Sequence, residues 1–133
     1  LLDMTLAHEA HVDGQLNSIH RVLEQTSQHL ISKAQEISEQ TIIGSTVVVM
    51  VVDGNNLGIF WAGDSRAYRL REGQLTQLTT DHTVANELIR AQGFSLENAR
   101  SAQDAEALTT AVGASVFTPE RREDKTQPGD RFC

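Results

Sequence analysis

An α+β fold is predicted for this 133-residue chain by three observations. Apolar residues recur at steps of three and four up to about Ser38, the period turns strand-like from Ser45 to Thr79, and helical spacing returns after His82. Hydrophobic residues make up 39% and charged residues 22%, with two prolines, which places the chain among globular domains and away from global disorder. No internal repeat or low-complexity tract interrupts that order.

The elements follow one by one. Leu16, Ile19, Val22, Leu23, Leu30, Ile31, Ala34 and Ile37 form one stripe, predicting a helix from about Gln15 to Ser38 with Asp13 as its N-cap. Leu1 to Val12 reads as a short helix or the frayed remainder of one. Thr46-Val47-Val48-Val49-Met50-Val51-Val52 is rich in β-branched residues and apolar on both faces, as a strand buried on both sides would be. Asp53-Gly54-Asn55-Asn56 supplies turn residues, and Leu57 to Ala62 returns as a second apolar strand. Gly63-Asp64-Ser65 interrupts. Arg66 to Arg71 alternates, Glu72-Gly73 turns, and Gln74 to Thr79 completes a predicted four-strand antiparallel meander. Val84, Leu88, Ile89 and Ala91 share a helical face that Gly93 ends, and Ser95 caps a short helix from Leu96 to about Arg100. Leu108 to Ala114 reads as a short strand or turn. Thr118 to Gly129, charged and Pro-containing, reads as a solvated loop, and Gly129-Asp130-Arg131-Phe132 as the entry to another strand.

Composition narrows the partners. The net charge is −7, with 11 basic residues against 18 acidic ones, which argues against a duplex nucleic-acid binder and a polybasic membrane patch. No apolar run approaches the roughly 18 residues of a membrane-spanning helix, and Leu1-Leu2-Asp3 does not read as a signal peptide. A single cysteine, Cys133, suits a reducing compartment, so a cytoplasmic location is expected. The absence of an initiator Met is read as a start in mid-protein.

Few residues carry a chemical signal. His8 and His11 lie three apart with no third ligand following, and surface histidines are the plainer reading. Asp64, beside a glycine between two apolar strands, either caps local backbone N–H groups or projects into a cation site. Arg66 could pair with Asp64 or with another acid. Asp81-His82 stands where an ordinary helix N-cap stands. Ser45, Ser65 and the threonines have no distinctive base partner, and no glycine-rich phosphate loop, zinc spacing or aromatic nucleic-acid platform is present.

Taken in order, five blocks resemble the type 2C metal-dependent serine/threonine protein phosphatases. These are Gly44-Ser45-Thr46-Val47-Val48-Val49, then Trp61-Ala62-Gly63-Asp64-Ser65-Arg66-Ala67-Tyr68 and Leu78-Thr79-Thr80-Asp81-His82-Thr83. Leu108-Thr109-Thr110-Ala111-Val112-Gly113 and Gly129-Asp130-Arg131-Phe132 complete the set. The resemblance covers roughly Gly44 to the end, with the preceding helix in the expected place. Ser95-Leu96-Glu97-Asn98-Ala99-Arg100 is similar to the bacterial subgroup that accompanies type VI secretion kinases.

This resemblance implies part of a four-layer αββα sandwich with antiparallel sheets. It implies hydrolysis of phosphoserine and phosphothreonine by a water activated on Mn²⁺ or Mg²⁺, with a phosphorylated protein as substrate and a serine/threonine kinase in opposition. Among the quoted blocks it carries over Asp64 alone as a metal ligand, at a third site beside the central pair. It also implies a variable flap over Thr83 to Ala107, whose two short amphipathic patterns split at Gly93; the plainer reading is that both helices simply cover the sheet. Departures accompany the match. The Asp-Gly-x-Gly-Gly-His block, the N-terminal phosphate-binding Arg, the Ser-Asp-Gly block and the terminal Asp-Asn block are absent, and Thr110 stands where an Arg is common. Residues 1–133 are therefore expected to be a single partial phosphatase domain. A non-catalytic binding or regulatory module on the same scaffold, a pseudophosphatase, is the alternative.

Overall fold

The apolar stripe starts earlier than its spacing suggests. In the computed structural model, which describes residues 2–133 and side chains from Ala10 onward, α1 runs unbroken over Leu2–Ile37. Asp13 is thus no cap: it lies inside the helix, accepts from Asn17 Nδ2 at 3.1 Å and pairs with Arg121. Gly14 costs a helix only about 1 kcal/mol. Burial of Val12 and Leu16, 2% and 1% exposed, outweighs that, at about 1.5–3 kcal/mol per side chain.

The four central strands do not form one meander. β1 (Val47–Asp53) and β2 (Asn56–Ala62) make a hairpin, and β3 (Tyr68–Arg71) and β4 (Gln74–Gln77) make another, but the two hairpins sit in different sheets. The chain changes sheet at Gly63 to Ala67. The charged segment predicted as a loop is largely a strand: β5 (Glu120–Lys125) pairs antiparallel with β2, from Asn56↔Lys125 to Trp61↔Glu120. Its charges fall on both faces because it is an edge strand, where charge discourages further pairing. β6 (Arg131–Phe132) pairs with β3, as the closing residues suggest. The sheets read β1-β2-β5 and β4-β3-β6.

Period-two alternation then builds the layers. Val47, Val49, Val51 and Phe60 face α1, packing with Val12 and Leu16. Gly58 lets α1 lie close, since a Cβ there would meet Val12 Cγ1 at 2.6 Å and Leu16 Cδ1 at 2.8 Å. Leu57, Ile59 and Trp61 point the other way and pack with Ala67 and Leu78, with Met50 and Phe132 alongside. β1 is not buried on both faces. Val52 is 53% exposed, and Val48 lines an apolar cavity of about 210 Å³ with Met50, Ala67 and Phe132. α2 (Val84–Gln92) and α3 (Leu96–Arg100) form a separate small cluster around Ala85, Ala99 and Ala105. Leu108 to Ala114 is a turn held by two isolated bridges, Thr83↔Leu108 and Ser45↔Val112. Among the described residues no helix is long and apolar enough to cross a membrane.

Arginines tie the sheets together. Arg69 on β3 reaches Asp124 on β5 at 3.2 Å. Arg71 donates to both carboxylate oxygens of Asp130, each at 2.7 Å. These hydrogen bonds from Arg71 hold the Asp130 carboxyl at about 2, below its ordinary 3.8. A depressed carboxyl stabilises the fold above its unfolded value and loses that contribution as pH falls through the folded one. Asp130→Asn is therefore expected to lower the urea midpoint at neutral pH, with the gap to the unsubstituted chain closing between about pH 4 and pH 2. A gap independent of pH over that window would refute the role given to this pair.

Candidate functional site

The sheet change is made by a turn whose geometry comes from its residues. Gly63 has φ +101°, and a Cβ there would stand 2.4 Å from Thr46 Cγ2. A glycine is needed on both counts. Next to it, Thr46 and Ser65 share a hydroxyl–hydroxyl bond of 2.8 Å that fixes the far side of the turn.

Asp64 sits at the apex and is exposed. Among the described residues no hydrogen bond or ion pair engages its carboxylate. It therefore caps nothing. Arg66, the cation two positions on, pairs instead with Asp81 in a two-pronged contact, Nε to Oδ1 at 2.8 Å and Nη2 to Oδ2 at 2.5 Å. The Asp81 hydrogen bonds, with a longer one to Tyr68, keep Arg66 firmly charged and raise its pKa. Asp64 is left as an unpaired hard oxygen donor facing solvent.

Asp81 is not a helix cap either. That position belongs to Thr83, whose hydroxyl accepts from Asn86 N–H at 3.4 Å. His82, expected to be an ordinary residue ahead of a helix, is 3% exposed and stacks on Trp61, ring centroids 6.0 Å apart and planes 7° from parallel. Its Nδ1 accepts from Gly63 N–H at 3.1 Å, so the ring proton lies on Nε2. His82 N–H donates to Gly63 O at 3.0 Å. Its Nε2 stands 3.3 Å from Glu120 Oε1 without the alignment of a hydrogen bond. Arg90 Nη1 holds that same oxygen at 2.7 Å. Burial pushes the Glu120 carboxyl up, but Arg90 and His82 together hold it below the usual range. No periodicity in the sequence marks His82; its role depends on a contact between segments far apart in the chain.

Beside the turn lies a polar cavity of about 340 Å³, lined by Arg66, Thr80, Asp81, Asn86, Arg100 and Glu106 among others. It opens between the Arg66–Asp81 pair and the two short helices. The remaining sequence candidates fall elsewhere. His11 is exposed and bonds Gln15 at 2.7 Å, while the side chain of His8 lies outside the described residues. Thr110 is buried and structural, accepting from Thr118 N–H at 2.8 Å.

A divalent cation would be met at this turn by the chemistry it prefers, a carboxylate with no competing partner. Asp64 fits as one ligand. The described residues contain no group of three His, Cys, Asp or Glu side chains arranged to hold a metal ion, so Asp64 stands there as a single candidate ligand.

The profile of the protein phosphatase 2C family matches residues 6–102. The serine/threonine protein phosphatase PstP of Mycobacterium tuberculosis is 32% identical over 90 residues, covering 68% of this chain and 18% of that protein. PhpP of Streptococcus pneumoniae is 28% identical over 110 residues, covering 78% of this chain and 45% of that protein. The chain thus spans less than half the length of these relatives. Among solved structures, PppA, described as a key regulatory component of the type VI secretion system in Pseudomonas aeruginosa, superposes with a TM-score of 0.76 at 28% identity, over 91% of this chain and 49% of that one. The catalytic domain of PstP in complex with two manganese ions superposes with a TM-score of 0.68 at 25% identity, over 98% of this chain and 56% of that one.

Proposed function

The chain belongs to the protein phosphatase 2C family, and from that premise we propose that it is part of a metal-dependent phosphatase acting on phosphoserine and phosphothreonine in proteins. The observation that carries the reading is the exposed, unpaired Asp64 carboxylate on a glycine-built turn, inside the stretch that the family profile matches. Mn²⁺ or Mg²⁺, when bound, supplies an acidified water and screens the charge of the phosphate. This chain contributes one carboxylate, held clear of Arg66 by the Arg66–Asp81 pair. Residues 1–133 are, on this reading, a single partial domain. Opposition to a serine/threonine kinase, a cytoplasmic location and a place in type VI secretion are parts of the same proposal, the last supported by the likeness to PppA. A non-catalytic module is the second reading, favoured by the lack of a three-ligand group among the described residues.

Mn²⁺-dependent hydrolysis of a phosphothreonine peptide tests both. The 133-residue chain is expected to show background turnover, and the longer natural protein containing it robust turnover, falling at least about tenfold with Asp64→Asn. Full activity in the chain alone would overturn the one-ligand argument. An inactive natural protein would leave the non-catalytic reading standing.

We propose further that Thr83 to Ala107 acts as a flap that tunes the choice of protein substrate. α2 and α3 pack on one another through Ala85, Ala99 and Ala105, with Leu88 and Ile89 alongside, as a unit apart from the main core. Such a satellite can move without unfolding the rest. Replacing Leu88 and Ile89 with Ala in the natural protein should reduce activity on a phosphoprotein while largely sparing a small aryl phosphate. A joint fall of both activities and of Tm would make the segment core.

A further inference from the structure

His82 touches no candidate reacting atom, yet it occupies both backbone polar groups of Gly63. Its Nδ1 takes the Gly63 N–H at 3.1 Å, and its own N–H takes the Gly63 carbonyl at 3.0 Å. The ring is immobilised by its stack on Trp61 and by near-complete burial. The His82 carbonyl is itself held by Thr109 N–H at 2.9 Å. Gly63 is the residue whose φ of +101° turns the chain out of the sheet, so what fixes its peptide planes fixes the direction in which Asp64 leaves.

We propose that His82 is a positioning residue: by accepting the Gly63 N–H through Nδ1, it locks the turn that presents the Asp64 carboxylate. The backbone contact from His82 N–H to the Gly63 carbonyl survives any side-chain change, whereas the Nδ1 contact depends on having an acceptor at that one place. This distinguishes positioning from packing. Asn carries an oxygen at the same distance from the backbone as Nδ1; Leu fills similar space and carries none. The proposal rests on reading Asp64 as a metal ligand only for its consequence, not for the lock itself.

The experiment compares His82→Asn and His82→Leu in the 133-residue chain. Hydrogen exchange at the Gly63 amide is followed by NMR, with the Ile59 amide in β2 as internal reference. Gly63 protection should be kept in H82N and fall in H82L by about tenfold, the scale of one lost hydrogen bond, relative to Ile59. Equal protection in the two variants, or better protection in H82L, overturns the proposal, because packing alone would then hold the turn. Should H82L lose its native spectrum, His82→Gln replaces it, with its acceptor one bond too far out; loss of the native spectrum in H82N as well also overturns the proposal. A second arm adds Mn²⁺ alone and reads paramagnetic broadening. Broadening centred on Asp64 that vanishes in Asp64→Asn, persists in H82N and spreads in H82L supports the link to the ligand. Broadening that is the same in H82N and H82L overturns that link, and Gly63 exchange still decides the lock.

Discussion

Gly63→Ala is expected to destabilise the chain by about 4 kcal/mol, read as a fall in the urea midpoint at unchanged slope. Two costs add. An L side chain at φ +101° is strained by about 1–3 kcal/mol, and the new Cβ would lie 2.4 Å from Thr46 Cγ2 and 2.8 Å from Thr46 Cβ. Relieving that overlap requires a shift of the Thr46 side chain, costing about another 1–3 kcal/mol. The Thr46 hydroxyl is in turn the partner of Ser65, so the shift reaches the other flank of Asp64. A domain's whole stability is about 5–15 kcal/mol, and a loss on this scale is a large part of it. A midpoint close to that of the unsubstituted chain would mean that the turn tolerates a side chain, and the account of it would fall.

Trp61→Ala is expected to cost about 3–5 kcal/mol by the same measurement. The indole is 4% exposed among Leu57, Ile59, Ala67 and Leu78, and so helps hold the two sheets together. Its Nε1–H donates to the Thr80 carbonyl at 2.9 Å, pinning the segment that leads into Asp81 and His82. Truncation empties the core and removes the surface on which His82 stacks. Trp61→Phe isolates the polar part: it keeps most of the bulk, loses the bond to Thr80, and should cost about 1 kcal/mol from that source. If Trp61→Ala costs no more than Trp61→Phe, the ring is not the core element described.

The parts of this fold that were legible in the sequence are those governed by local rules. The β-branched run ending at Val52, the turn residues from Asp53, and the glycine after α2 each announce themselves. Gly63-Asp64 was readable as an interruption, and the structure adds why: a close approach to Thr46 that only backbone tolerates. What escaped depends on partners distant in sequence. β5 has no apolar alternation because both of its faces carry charge, and its strand conformation comes from pairing with β2. The split of the hairpins between sheets leaves no mark on either hairpin. Arg66 has acids at Asp64 and Asp81 to choose from, and only the folded chain shows that Asp81 takes it. His82 stands in a block the sequence marks, but its hold on the turn is legible only once Gly63 is placed beside it.

The placing of β5 outside β2 also sets an order of assembly. A hairpin such as β1–β2 closes in about 1–10 μs, because its turn brings neighbouring residues together. β5 must instead return from 69 residues away to set Lys125 against Asn56, and the entropy of closing that loop is spent before any ladder bond is gained. In the interval β2, every residue of which is buried in the finished fold, offers its outer edge to any extended strand. The late arrival is Glu-Arg-Arg-Glu-Asp-Lys, whose charges make poor company for a further strand. β5 is in that sense a gatekeeper delivered by topology: it covers the outer edge of β2 and, in the same step, puts a charged strand where an apolar one had been open to other chains.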